Sequence, residues 1–457
     1  MFKKLLLTTA FSLALLPVGG AANAADLGGD CCADLEERVA TLEATTARKG
    51  NRKVSLTISG YVSQQLWLWD DGDESDVYVA DNLNDLGSRI NFSGNAKINS
   101  EWSSGYHINL GFGVDNAFAD QTNDDNGGGG VFVDQAFLWV KSEKLGKVSW
   151  GLQSQASDNR SLIPGMQTGT LLQTTGHVIF DTGGLLLRPK GGANGVAGRS
   201  ATPLGAFGSC VGTRGIFGGE CSGDRTNSVR YDTPTIAGFT LSASWGEDDF
   251  WDVAFSYVNT WGDFKVAASG SYSENSDEDR FNGAFGSADA DASYAHVGGT
   301  LFHNPTGLFV YGSYGHEDAD VAGAPDSDHW YVQAGIKTKL NSLGSTTFYG
   351  EYGQYLDMYG ALFRTGDGSL CGAFNGITGT ALDAACANAA DNTVNITDSE
   401  LTRFGLGVVQ SIDAASMQVW LKWVHYELDV DFSDAGVAGK QEFEDVNSFM
   451  AGGVIFF

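Results

Sequence analysis

The chain holds 7 prolines and 6 cysteines in 457 residues, and its 27 Lys and Arg are outnumbered by 56 Asp and Glu. Each shortage excludes something. A net charge of −29 leaves no basic footprint for nucleic acid. Past residue 24 no apolar run approaches the roughly 20 residues of a membrane-spanning helix. A span built from this chain would therefore use strands closed into a barrel, the other structure that satisfies every backbone group in lipid. No CxxC pair or His-rich tract occurs, so no metal ligand set and no cofactor is expected.

The N-terminus has the marks of export. Lys3 and Lys4 precede the apolar stretch Leu5 to Val18, and Ala22-Asn23-Ala24 supplies an A-x-A cleavage signal. Residues 1–24 are expected to be a signal peptide. Removing Lys3 and Lys4 with it leaves 25 basic against 56 acidic residues, net −31. Cys31 and Cys32 lie too far past the signal for lipid attachment. In an oxidising compartment Cys210 with Cys221, and Cys371 with Cys386, are the simplest disulfide pairs, although spacing alone does not fix connectivity.

One short stretch reads as helix. Leu35, Val39, Leu42 and Thr46 step by 4, 3 and 4 between Asp34 and Arg48, a seam of about two heptads. A self-associating periplasmic coiled coil and a frayed spacer are equal readings, because so short a helix is marginal alone. Cross-linking of subunits through Cys31 and Cys32 is one option and free thiols are the other.

From Val54 the period changes to two. Ile90, Phe92, Gly94, Ala96 and Ile98 alternate with Arg89, Asn91, Ser93, Asn95 and Lys97, and Trp330, Val332, Ala334 and Ile336 alternate with Tyr331, Gln333, Gly335 and Lys337. Ten-residue strands with one apolar face suit a transmembrane barrel and also a sandwich. The connections separate these cases. Long ones at 70–87, 115–130, 156–226, 275–292, 316–327, 358–398 and 431–445, with a brief turn near Glu247–Asp249, alternate with short ones near 99–104, 143–147, 233–237, 261–263, 303–307, 341–344 and 411–415. That count predicts an all-β fold: a 16-stranded antiparallel transmembrane β-barrel over residues 54–457, preceded by a short periplasmic helix segment at 25–53. Trp67, Trp69, Trp139, Trp150, Trp251, Trp261, Trp420 and Trp423 are expected in interfacial girdles. The run DDGDESD at Asp70–Asp76 lacks calcium-loop spacing and is expected to be a solvated acidic loop, with divalent bridging to lipopolysaccharide a minor option.

Residues 156–226 carry 6 basic and 4 acidic residues, net positive in an acidic chain. A connection that long is a candidate for function inside the channel. The segments SRINFSG (Ser88–Gly94), DQAFLWVKSEKLGKVSWG (Asp134–Gly151), NSVRYDTPTIAGFTL (Asn227–Leu241) and FGGE (Phe217–Glu220), with the terminal Phe457, resemble the general trimeric porins of Gram-negative bacteria, closest in character to alphaproteobacterial ones. The resemblance implies a homotrimer among outer-membrane lipid and lipopolysaccharide, passing small hydrophilic solutes. It also implies a loop folded into each barrel opposite a basic wall. Carried over residue by residue, Arg89 and Arg230 match wall positions, Glu220 an acidic position on the loop, and Asp134 a lumen position where many relatives carry Arg. Lys97, Arg403 and Lys422 are further inward candidates. A Cys210–Cys221 bond would pin the loop beside Glu220.

The leading functional reading is a passive porin. Behind it stand a substrate-selective channel and a barrel that tethers the envelope. An enzyme is last, because the seven histidines show no Ser/His arrangement. The closing strand, Val446 to Phe457, is expected to pair with the first strand. Phe449, Ala451, Ile455 and Phe457 would then face lipid or a neighbouring subunit, and Phe456, on the opposite parity, would fill the lumen mouth against the first strand.

Overall fold

Two-residue alternation sends successive side chains to opposite faces of a sheet. In the computed structural model every strand belongs to one antiparallel sheet that closes on itself. The structure describes residues 53–80, 87–113, 130–170, 178, 182, 185–190, 204–208, 223, 225–246, 250–276, 292–319, 325–358, 394–434 and 437–457. The expected N-terminal helix at 34–48 and all six cysteines lie outside the described residues.

The strands are β1 (Thr57–Asp70), β2 (Ser75–Ala80), β3 (Arg89–Lys97), β4 (Trp102–Gly113), β5 (Gly130–Ser142), β6 (Gly146–Ser154), β7 (Arg225–Asp232), β8 (Phe239–Gly246), β9 (Phe250–Trp261), β10 (Phe264–Asn275), β11 (Ala292–His303), β12 (Leu308–Ala319), β13 (Ser327–Thr338), β14 (Thr346–Leu356), β15 (Val394–Ile412), β16 (Met417–Asp434), β17 (Val437–Glu442) and β18 (Val446–Phe456). These eighteen segments make sixteen staves. β2 and β3 both lie along β1, which meets β2 at Gln65 to Asp70 and β3 at Thr57 to Tyr61. β17 and β18 share β16 in the same way. Closure comes from β1 against β18, with Tyr61 opposite Phe456 and Asp70 opposite Asn447. Among the described residues no strand edge is left open to foreign strands.

Two of the expected long connections are therefore corrected. Residues 70–87 contain β2, and 431–445 contain the end of β16 and all of β17. Asp, Gly and Ser dominate both segments, so their composition reads as loop. What makes the first a tight hairpin is local. Asp71 Oδ1 accepts from the backbone N–H of Glu74 at 2.7 Å and of Asp73 at 3.2 Å, and Gly72 takes a φ of +85° that suits glycine. Asp71 itself is buried, which corrects the expected fully solvated loop.

The alternation sorts the faces as charge requires. Ile58, Val62, Leu66, Leu68, Leu138, Leu241, Val332, Leu406 and Leu421 are exposed on the outer face. Ser63, Gln65, Arg89, Asn109, Gln333 and Arg403 are buried on the inner one. A Lys or Arg on the lipid face at mid-depth costs about 2–4 kcal/mol, so the parity of each strand is strongly specified. The expected tryptophan girdle is corrected in part. Trp150, Trp251 and Trp261 are exposed outside, and Trp423 shares the outward parity of Leu421. Trp67, Trp69 and Trp420 are buried on the inner face. Trp139 shares the inward parity of its neighbour Lys141 and covers Gly105. An indole satisfies a strand pattern on either face, so sequence alone does not assign it.

The chain ends inside the sheet. Phe457 and Gly60 exchange two backbone hydrogen bonds, of 2.9 and 3.0 Å, and the Phe457 ring lies over Gly60, where a Cβ would meet it at 2.8 Å. Phe449, Ile455 and Phe457 are exposed as expected, and Phe456 packs against Tyr61 with ring centroids 5.9 Å apart.

Candidate functional site

The connection after β6 runs inward. Its first turn is held to the wall by side chains that the barrel pattern turns into the lumen. Asp252 accepts from the Ser157 backbone N–H at 2.7 Å and from its hydroxyl at 2.6 Å, and it also accepts from the Ser244 hydroxyl. His296 Nε2 donates to Ser157 O at 3.0 Å, Tyr311 OH to Ser161 O at 2.8 Å, Thr300 Oγ1 to Pro164 O at 2.6 Å, and Ser269 to Arg160 O. A short helix, α1 (Leu162–Gly165), lies against β10, β11 and β12. Gly298 permits this approach, because a Cβ there would sit 2.2 Å from Ser161 O.

Farther along, the same connection reaches the opposite wall. Val178, Leu185, Leu187, Leu204 and Phe207 are buried in one apolar cluster with Trp67, Trp69, Tyr355, Leu401, Tyr426, Leu428, Phe432 and Phe443. Pro189 bridges to Phe443, Lys190 N–H donates to Glu442 O at 2.8 Å, and Glu444 N–H donates to Arg188 O at 2.7 Å. Arg188 reaches Asp71 at 2.9 Å and Glu74 at 3.1 Å. So one insertion is fastened first to β8–β13 and then to the β1, β16 and β17 side. Burying apolar side chains gives about 1.5–3 kcal/mol each, which sets against the ordering of the loop.

The charged wall lies near the root of this insertion. Arg89 Nη1 meets Asp134 Oδ2 at 3.0 Å, and Arg225 Nε meets Asp134 Oδ1 at 3.5 Å. A β-bulge places Asp134 there. Asn109 pairs with Gln135 and Leu110 with Val133, which leaves Asp134 as the extra residue, buried on the inner face. Arg230 bonds Asp232 at 2.8 Å and the carbonyls of Ser154 and Gln155 at 3.1 Å, while Lys147 bonds Asp232 at 3.1 Å. Arg89 and Asp134 thus come together, with Arg230 on β7, two staves from Asp134. Glu220, Cys210, Cys221, Cys371 and Cys386 lie outside the described residues.

A second charged group sits on β13–β16. Glu351 Oε1 is 2.5 Å from Arg403 Nη2 and 3.5 Å from Lys422 Nζ, and Glu351 Oε2 accepts from Tyr331 OH at 2.7 Å. The Arg403 guanidinium also lies over the Tyr331 and Tyr426 rings at 5.4 and 5.5 Å. Arg403 and Lys422 face inward as expected, whereas Glu351 was not singled out by sequence. The signal for it was present: Glu351 sits on the Tyr349–Gly353 parity of an alternating strand. Lys97 shares the parity of Arg89 and is exposed near the short-turn end.

An inward loop and opposed charges inside a closed sheet are the arrangement of a channel. The chain matches the Gram-negative porin family over residues 9–370. It belongs to that family. An anion-selective porin from Comamonas acidovorans shares its fold, with a TM-score of 0.51 at 14% identity, covering 88% of this chain and 100% of that one. OmpT, an outer membrane protein of Vibrio cholerae, gives 0.49 at 14% identity over 90% of this chain and 99% of that one. The outer membrane channel DcaP of Acinetobacter baumannii gives 0.45 at 11% over 90% and 99%. No curated protein sequence matches the chain. The porin is a bacterial outer-membrane protein that forms a water-filled channel for passive diffusion of small hydrophilic solutes and ions.

Proposed function

We propose that this porin is a general, weakly selective channel rather than an enzyme or a substrate-specific one, and that its narrowest part lies between the inserted loop and the wall carrying Arg89, Arg225 and Arg230. The observation that carries this reading is the Arg89–Asp134–Arg225 group, held on the inner face beside the root of the loop. Fixed opposite charges across a narrow aqueous neck orient water and dipolar solutes. An apolar solute must displace that ordered water and is disfavoured. Glu220, carried by the loop, would add the acidic side. The family resemblance supports a homotrimer in lipid and lipopolysaccharide. The sequence supports a leader at 1–24, a periplasmic segment at 25–53, and Cys210–Cys221 and Cys371–Cys386 disulfides that stiffen two connections.

Planar-bilayer recording tests the proposal. We expect linear currents that do not saturate with solute. Asp134→Asn should move the reversal potential in a salt gradient toward anion preference, and Arg230→Gln toward cation preference. Saturation of current by one solute at low concentration would overturn the general-porin reading. An unchanged reversal potential in both variants would remove the constriction from this wall. A band of trimer size on an unheated gel, reduced to one chain by boiling, checks assembly.

A further inference from the structure

On its outer face the long hairpin β15–β16 passes from apolar to polar at one level. Leu406, Trp423, Phe449 and Leu68 are neighbours across four staves; one residue pair higher stand Phe404, His425, Asn447 and Asp70. Above that level the outward residues of β16 are Glu427, Asp429 and Asp431. The strand therefore leaves the apolar layer at Trp423. β15 and β16 are 19 and 18 residues long, and about 9–11 suffice to cross a bilayer.

At that boundary His425, Glu427 and Asp445 bring one ligand atom each to within 4.8 Å of one another. The register explains the meeting. Tyr426 and Val446 are the last β16–β18 pair, so Glu427 and Asp445 follow at the next step with outward parity. The histidine is oriented by residues outside this trio. Asn447 Oδ1 accepts from Trp423 Nε1 at 3.2 Å and from His425 Nδ1 at 3.0 Å. An indole N–H can only donate, so the amide must present its oxygen, and Nδ1 of His425 must therefore carry its proton. The lone pair of the neutral ring is then on Nε2, 3.3 Å from Glu427 Oε1. Two electron-rich atoms face each other there, and a cation between them is the arrangement that lowers the energy.

We propose that His425 Nε2, Glu427 and Asp445 form a divalent metal site at the long-loop rim of the barrel. One imidazole with two carboxylates suits a borderline ion such as Zn2+ better than Ca2+ or Mg2+, which take oxygen. Zinc bonds of about 2.0–2.2 Å put tetrahedral ligands about 3.4 Å apart, so side-chain rotation alone closes the trio around the ion. The Asn447 and Trp423 pair is the outer shell that fixes the ring and its tautomer. Lys190 opposes the ion: its ammonium bonds Asp445 Oδ1 at 3.0 Å and leaves Oδ2 for the metal. Water or an anionic lipid headgroup would complete the coordination.

The test is titration of Zn2+ alone into the folded full-length protein in detergent micelles at neutral pH, read by calorimetry. One site per chain with a micromolar Kd is expected. His425→Ala and Asp445→Asn should each weaken it at least about tenfold. Lys190→Gln should tighten it, a result that a purely structural role for these residues would not give. His303→Ala, at the short-turn end, should leave it unchanged. Unaltered single-channel conductance verifies that each variant is folded. Absence of binding below millimolar Zn2+ would overturn the site and leave His425 and Glu427 as a proton-held ion pair. Equal affinity in wild type and His425→Ala would also overturn it.

Discussion

Replacing Arg188 by Ala should loosen the inserted loop without opening the barrel. The guanidinium contacts three carboxylates of the β1–β2 hairpin, but they are unequal. The Glu74 and Asp73 side chains are 63% and 50% exposed, whereas Asp71 is 1% exposed and 2.9 Å from Nε. Exposed pairs contribute about 0–1 kcal/mol. Removing one partner of a buried pair costs about 3–5 kcal/mol, because the other charge is left without compensation. At about 1.4 kcal/mol per factor of ten, the undocked population of residues 185–190 should rise roughly a hundredfold to a few thousandfold. The apolar cluster of Leu185, Leu187, Leu204 and Phe207 is untouched, so mean conductance should stay near wild type. Single-channel current noise and limited proteolysis of the folded protein in detergent are the readouts, and both should rise. Adding Asp71→Asn removes the stranded charge and should restore part of the quiet behaviour. If Arg188→Ala is as quiet and as protease-resistant as the wild type, this ion pair does not hold the loop. If the double variant is no quieter than the single one, the stranded-charge account fails.

Three further outcomes are expected. Burial pushes the Asp357 carboxyl up to about 6, Asp398 and Asp328 add to the rise, and the Ser399 N–H hydrogen bond opposes it. A carboxyl raised in the folded state stabilises most below its unfolded value of 3.8, and that contribution is lost as pH climbs through about 6. Thermal unfolding followed from pH 4 to 8 should thus show a component that Asp357→Asn flattens; parallel profiles would count against it. Glu351→Gln leaves Arg403 and Lys422 buried without their shared anion and should lower barrel stability by about 3–5 kcal/mol, measured by urea unfolding in micelles. Gly60→Val drives a side chain toward Arg89 O and the Phe457 ring, and overpacking of about 1–3 kcal/mol should reduce the folded fraction seen on unheated gels.

Much of the architecture was legible in the chain. A period of two with one apolar face gives the orientation of each residue, because the wrong parity places Arg or Gln in lipid. Arg89, Arg230, Arg403 and Lys422 were therefore expected inside, and they lie on the inner face; Asp134 was placed there only by the family resemblance. The alternation of short and long connections gave sixteen staves, since an antiparallel barrel must turn at each end. The same reasoning missed β2 and β17. The Asp- and Gly-rich runs around these short strands read as loop, while the backbone pairing continues through them.

Contacts across the lumen were decided only by the folded chain. Arg188 and Asp71 are 117 residues apart, and they meet because the loop after β6 crosses the barrel to an apolar wall made by other staves. Which tryptophans face that wall depended on this docking, since an indole suits lipid and a packed lumen equally well. The bulge that turns Asp134 inward and the register that brings Asp445 beside Glu427 are likewise properties of paired strands. Sequence determines the face a residue occupies, through the energy of placing it in lipid or water. Tertiary structure determines its neighbours on that face, because strand register and loop path are set by all the staves at once.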